Sequence, residues 1–156
     1  MSNDVPPESR SYLHAKCSTE TVVGGTAFEN VSNPMSSVTR TWCSQCGAYF
    51  PMSDYAWSDT GEKISDYYAR HSKKATDLQH FLCSKKVMIA LWIIGFISAA
   101  IGAYFLFEQR PLGAKLVLVP IGGAIGVAIA SVVFVEGLAN PIRRNVCGVK
   151  DTRLLK

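Results

Sequence analysis

The most specific chemistry in this sequence lies in two short pairs of metal-ligand residues. Cys43 and Cys46 stand three positions apart, and Gly47 directly follows the second. Two thiolates at this spacing fit a turn that directs both sulfurs at one ion, and a glycine eases the tight backbone. His14 and Cys17 repeat the spacing upstream. Together the pairs predict a Cys3His set that holds one structural zinc ion per chain.

The residues around these pairs are β-prone. Short runs of this kind occupy residues 21–23, 26–31, 38–42 and 48–51. Strands around two ligand pairs resemble a zinc ribbon, and the resemblance covers residues 11–52. This sequence departs from the commonest ribbon pattern, because His14 replaces the first cysteine and no glycine follows Cys17. The resemblance implies a fold and a structural ion but no particular activity.

Two alternatives to this ligand set remain open. Cys43 and Cys46 also fit a thiol-redox pair, although such pairs usually open a helix, whereas aromatic and β-prone residues follow Cys46. His80 and Cys83 have the same spacing as the upstream pair, so they compete with His14 for the fourth ligand position.

The sequence contains no Walker, G-x-S-x-G or H-E-x-x-H motif, and we therefore expect a protein that is not an enzyme.

The elements that must position these residues divide the chain into five parts. They are a flexible tail (1–10), a zinc-ribbon-like domain (11–57), an amphipathic connecting helix (58–84), a transmembrane hairpin (85–136) and a basic cytoplasmic tail (137–156). The connecting helix is predicted from apolar residues at helical spacing between Ile64 and Leu82, with Thr60 as its N-cap. The predicted fold class is thus a small β-rich zinc ribbon with an amphipathic helix, followed by two transmembrane helices.

The two predicted spans are residues 87–107 and 116–135, and neither contains a charged residue. Helices of this length extend roughly 30 Å, which matches the hydrocarbon core of a bilayer. The first 84 residues offer too little surface to bury both spans as core helices. The lack of ionisable groups within the spans argues against a pump or transporter.

The orientation of the hairpin is predicted from basic residues near the ends of the spans. Nine Lys and Arg residues flank its outer ends, whereas its short loop contains only Arg110 and Lys115. Basic residues favour the cytoplasmic side, so both termini are predicted to face the cytoplasm from a cell or inner membrane.

Small residues recur four positions apart in both spans. Gly95 and Ala99 lie in the first span, and Gly122 and Gly126 lie in the second. Such stripes let helix backbones approach closely in a bilayer. They predict helix packing, either within the hairpin or against another copy or a partner subunit.

The distribution of charge limits the class of partner. Residues 1–84 carry seven basic and nine acidic residues, whereas residues 85–156 carry nine basic and three acidic ones. A basic half next to membrane segments is typical of contact with lipid headgroups, and nucleic acid is not an expected partner.

The sequence therefore predicts a membrane-anchored, zinc-binding accessory or scaffolding subunit, whose partners are the bilayer and other membrane subunits or copies of itself. The alternative is a membrane-tethered thiol-redox protein that uses Cys43 and Cys46.

Overall fold

The computed structural model describes residues 5–156 and divides into two compact units. The first unit contains the residues up to Thr76 together with Arg143–Lys156, and the second contains Asp77–Ile142. Residues 1–4 of the predicted flexible tail lie outside the described residues, and its last two residues already belong to a strand. A small β-sheet region is thus followed by helices, as predicted.

Two small antiparallel sheets form the β-region of the first unit. In the first sheet, β1 (Ser9–His14) lies between β2 (Glu20–Gly24) and β5 (Tyr55–Trp57). The second sheet is a hairpin of β3 (Arg40–Cys43) and β4 (Ala48–Pro51). Because β1 is paired on both sides, its last residue, His14, is held firmly in place.

Aromatic side chains form much of the core of this unit. The largest fully buried ones are Tyr12, Phe28, Tyr55, Trp57 and Tyr67. Tyr12 contacts Tyr55 edge to face at 4.9 Å, and Trp57 contacts Tyr67 in the same way at 5.6 Å. These pairs add specific geometry to the burial of apolar area.

Residues 26–31 differ from the prediction of a strand, because they form most of helix α1 (Gly25–Ser32). Phe28 and Val31 are both buried and stand three positions apart. That spacing places them on one face of a helix, whereas it would place them on opposite faces of a strand.

The predicted connecting helix is two helices, α2 (Ile64–His71) and α3 (Asp77–Leu82). Thr60 accepts a hydrogen bond from the Glu62 amide at 3.3 Å, so it caps a turn before α2 and not the helix itself. At the end of α2, the Ser72 hydroxyl and amide both bond to the Tyr68 carbonyl. This side-chain bond competes with continued helical pairing.

The second unit is built around two helices that are long and apolar enough to cross a membrane. They are α4 (Lys85–Leu106) and α5 (Leu112–Val132). The Ser84 hydroxyl caps α4 by accepting from the Val87 amide. After α5 the chain continues through a π-helical segment (Val133–Ala139) into α6 (Asn140–Cys147), which enters the first unit at Arg143.

Helices α4 and α5 pack through their small residues. A Cβ atom on Gly95 would lie 2.6 Å from the Gly126 carbonyl oxygen, and one on Gly122 would lie 2.6 Å from the Ala103 Cβ. Across the same pair of helices, the Trp92 indole N–H donates to the Ser131 hydroxyl at 2.8 Å. The small-residue stripes therefore face each other inside the hairpin.

We expect the change Gly126→Leu to weaken the packing of α4 on α5, because a side chain there would overlap the Gly95 carbonyl and the Ala99 Cβ. Overpacking of this kind costs roughly 1–3 kcal/mol. The matched control is Gly102→Leu in α4, since nothing lies within 4 Å of a Cβ on Gly102. Unfolding in mixed detergent micelles, followed by energy transfer between labels on the two helices, measures both effects. Equal stability of the two variants would contradict this packing.

Candidate metal centre

The four predicted ligands lie at the ends of strands. His14 ends β1, and Cys17 follows in the turn toward β2. Cys43 ends β3, and Cys46 lies in the turn toward β4. Each pair therefore occupies the reversal between two antiparallel strands, where a tight turn brings the second ligand back beside the first.

The two turns have the same backbone geometry. The Ser18 amide donates to the His14 carbonyl at 2.8 Å, and the Gly47 amide donates to the Cys43 carbonyl at 3.0 Å. Both residues adopt left-handed φ angles, 53° at Ser18 and 61° at Gly47. Glycine takes this conformation without steric penalty, whereas a serine there costs roughly 1–2 kcal/mol. The first turn thus matches the second although it lacks the glycine.

The ligand atoms of these residues converge. One atom from each of His14, Cys17, Cys43 and Cys46 lies within 4.8 Å of all the others. His14 Nδ1 lies 3.3 Å from the Cys17 sulfur and 3.6 Å from the Cys46 sulfur, and the Cys17 and Cys43 sulfurs are 3.5 Å apart. The bond lengths of tetrahedral zinc imply edges of about 3.6 Å between nitrogen and sulfur and about 3.8 Å between sulfurs. Three of the separations are close to these edges, and all four ligand atoms lie within metal-binding distance of one another.

The imidazole of His14 is held in one orientation by two aromatic rings. It stacks on Tyr55 with a centroid separation of 4.8 Å and contacts Phe50 at 4.4 Å. Its Nδ1 atom faces the sulfurs, whereas its buried Nε2 atom has no hydrogen-bond partner among the described residues. An imidazole fixed in this way presents Nδ1 as its ligand atom, which leaves the proton on Nε2.

No disulfide joins these cysteines. Cys17, Cys43 and Cys46 are all free, and the 3.5 Å between the Cys17 and Cys43 sulfurs far exceeds a disulfide bond of about 2.05 Å. The Cys46 amide also points at the Cys43 sulfur, with a donor–acceptor distance of 3.5 Å. Such amides stabilise the negative charge of a metal-bound thiolate.

The surroundings of the three thiols differ from one another. Hydrogen bonds from Thr19 lower the pKa of Cys17 to about 6. Although Cys46 is exposed as a residue, loss of hydration around its sulfur and the adjacent thiols raise its pKa to about 11. Cys43 is fully buried. An attacking thiol in a redox pair is accessible and has a lowered pKa, a combination that neither residue offers.

The competing His80 and Cys83 are not part of the cluster. His80 lies in α3, and Cys83 follows that helix. The position left open by the sequence is filled by His14, whose ligand atom meets the three sulfurs. Phe50 and Tyr55 orient His14, but nothing in the sequence distinguishes them from ordinary β-prone residues.

We expect His14→Ala to remove one of four ligands and to lower metal affinity by more than the roughly 10–100-fold that loss of an outer hydrogen-bond partner costs. The matched control is His80→Ala, which should retain the wild-type metal content. Elemental analysis of the purified full-length proteins, followed by competition with a chromogenic chelator, measures both. Loss of metal from His80→Ala with retention in His14→Ala would reverse the assignment.

The candidate metal centre rests on the convergence of four possible ligand atoms and on their chemistry. No family model, no curated protein and no solved structure matches this chain.

Proposed function

We propose that this chain is a membrane-anchored, zinc-binding accessory subunit of a membrane protein complex and that it is not an enzyme. The observation that carries the proposal is the set of four ligand atoms that lie within 4.8 Å of one another. Three sulfurs and one imidazole are soft ligands that favour zinc over magnesium or calcium. Four protein ligands also fill the coordination sphere, which is typical of a structural site and leaves no position for a substrate.

The two matching turns favour a zinc-ribbon arrangement of the β-region. In such a fold, two ligand pairs on separate strand reversals hold two small sheets together through the ion. Here one pair joins β1 to β2 and the other joins β3 to β4. Helix α1 between them is an insertion relative to the simplest all-β version.

The second unit supports the membrane anchor. Helices α4 and α5 contain 22 and 21 residues and expose most of their large apolar side chains. Phe105, for example, is 66% exposed. Contiguous apolar surface on this scale is rare in soluble monomers, whereas a bilayer covers it. The excess of basic residues outside the hairpin favours a cytoplasmic location for both termini.

A pair of exposed aromatic side chains provides the surface on which a partner subunit docks. Trp42 and Tyr49 are paired across β3 and β4, with ring centroids 5.2 Å apart and exposed fractions of 42% and 60%. Tryptophan and tyrosine are the residue types that most often dominate protein interfaces. Tyr55 and Trp57, by contrast, are buried in the core and are not available to a partner.

The thiol-redox alternative predicts a different chemical state of Cys43 and Cys46 and a different metal content. A thiol-redox protein would cycle between a free dithiol and a disulfide at Cys43 and Cys46 and would contain no stoichiometric zinc. The raised pKa of Cys46 and the burial of Cys43 favour the structural reading. One zinc per chain, together with thiols that react only after chelation, separates the two functions.

The proposed topology predicts that the loop between α4 and α5 faces the outside of the cell. A cysteine introduced by Gly113→Cys should react with a membrane-impermeant thiol reagent in intact cells, whereas the native chain should not react until lysis. Gly113 suits this purpose because nothing lies within 4 Å of a Cβ at that position. Labelling of Gly113→Cys only after lysis would contradict the orientation.

The proposed docking surface is tested by the size of the complex in mild detergent. The full-length chain should elute in an assembly larger than its own detergent micelle, with zinc bound. The double change Trp42→Ala and Tyr49→Ala should release the chain from the assembly while its zinc content stays unchanged, because truncation of central interface residues costs at least about 2 kcal/mol.

The matched control for this experiment is Val22→Ala, which shortens an exposed apolar residue of β2 in the other sheet. It should leave the assembly intact. Wild-type chain that elutes alone, or a double variant that remains in the assembly, would contradict the accessory role of this surface.

A further inference from the structure

The last residues of the chain are built into the same unit as the four metal ligands. Thr152 is 1% exposed and Leu155 is 7% exposed. Leu155 belongs to the core cluster that also contains Tyr12, Cys43 and Trp57, and Cys147 and Val149 pack against that cluster. The segment therefore supplies part of the interior on which the metal ligands rest.

Specific polar contacts fix this segment in place. The Ser32 and Thr152 hydroxyls are 3.3 Å apart in the interior. Arg70 and His71 at the end of α2 both donate to the Lys156 carbonyl oxygen, at 2.8 Å and 3.2 Å. The Ser32–Thr152 contact is buried and the two bonds to Lys156 are exposed, so the segment has specific polar partners in addition to its apolar burial.

The segments that pack together in the first unit are far apart along the chain. The first unit, which contains the four ligands and is called the metal domain below, consists of a part that precedes residue 77 and a part that follows residue 142. Both helices that are long enough to cross a membrane lie between these parts. An odd number of crossings would leave the two parts on opposite sides of the bilayer, where they could not fold together.

We propose that the C-terminal segment, residues 146–156, acts as an intramolecular ligand of the metal domain and makes stable metal retention depend on completed insertion of both helices. The four ligands all precede residue 47, so an ion can bind as soon as this part of the chain has been synthesised. The interior behind them is completed only when Leu155 and Thr152 arrive, after the second helix. This inference rests on the proposed zinc function.

The test compares Leu155→Ala with Leu154→Ala in the full-length protein reconstituted in lipid nanodiscs with zinc bound. The two changes remove the same atoms from adjacent residues, but only Leu155 belongs to the buried core. Two quantities are measured: the rate at which a chelator extracts zinc, and hydrogen exchange of β1 and β5 by mass spectrometry.

We expect Leu155→Ala to accelerate zinc extraction and exchange in β1 and β5 by more than about tenfold, because a cavity in this core promotes local opening. Leu154→Ala should remain close to wild type. Wild-type values for Leu155→Ala in both measurements would overturn the proposal. A wild-type chain without zinc would refute the metal function, and hydrogen exchange alone would then decide whether the segment completes the domain.

A second variant covers the case in which Leu155→Ala does not accumulate. Thr152→Val conserves shape and removes only the hydroxyl that meets Ser32. It should show the same two effects at smaller size, and unchanged extraction and exchange in Thr152→Val would also overturn the proposal.

Discussion

The first unit depends on the meeting of four strand ends at one point. His14 stands at the end of the central strand β1, and Cys43 stands at the end of β3 in a separate sheet. These two sheets share no strand, and the cluster joins them alongside the hydrogen bonds that Tyr12 and Tyr55 donate to carbonyls of β3. A zinc ion at such a point contributes roughly 10–16 kcal/mol of apparent free energy, which is comparable with the whole stability of a small domain. The proposed ion would thus be the main structural support.

The orientation of His14 shows how the core and the cluster depend on each other. Its ring is stacked against Tyr55, which in turn contacts Tyr12 in the centre of the first sheet. Tyr12 also donates to the Trp42 carbonyl in β3, the residue before Cys43. A change in any of these aromatic contacts therefore moves a ligand. This is why we expect metal affinity to respond to substitutions that touch no ligand.

The second unit is held together by close packing of helix backbones and by a hydrogen bond between the two helices. In the proposed bilayer no hydrophobic effect would drive apolar helices together, so close backbone approach and hydrogen bonds would hold them instead. The overlap that a Cβ on Gly95 or Gly122 would create shows how closely the backbones approach. The bond from Trp92 to Ser131 adds a directional contact near the end of α5. The sequence identified the glycines because small residues at this spacing have a direct geometric meaning, but it left open whether their partner lay inside the hairpin.

The ligand set and the two long helices could be predicted from the sequence because each has a local signature. Paired ligands three apart and uncharged apolar runs of about 20 residues have meanings that do not depend on the rest of the chain. Helix α1 was missed because a short apolar run is ambiguous between strand and helix. The left-handed φ of Ser18 was missed because its residue type does not require it. Both are decided by tertiary packing.

The C-terminal segment shows the limit of reasoning from composition. The five basic residues of positions 137–156 predicted a cytoplasmic tail near lipid headgroups, yet Leu155 lies in the core of the first unit and Cys147 and Val149 pack against that core. Arg153 is also paired with Asp151, at 2.7 Å. Basic residues favour one orientation through their charge alone, whereas Leu155 and Thr152 depend on contacts with residues far away in the sequence. The same segment can therefore favour a membrane orientation and complete a protein core, because different side chains serve the two roles.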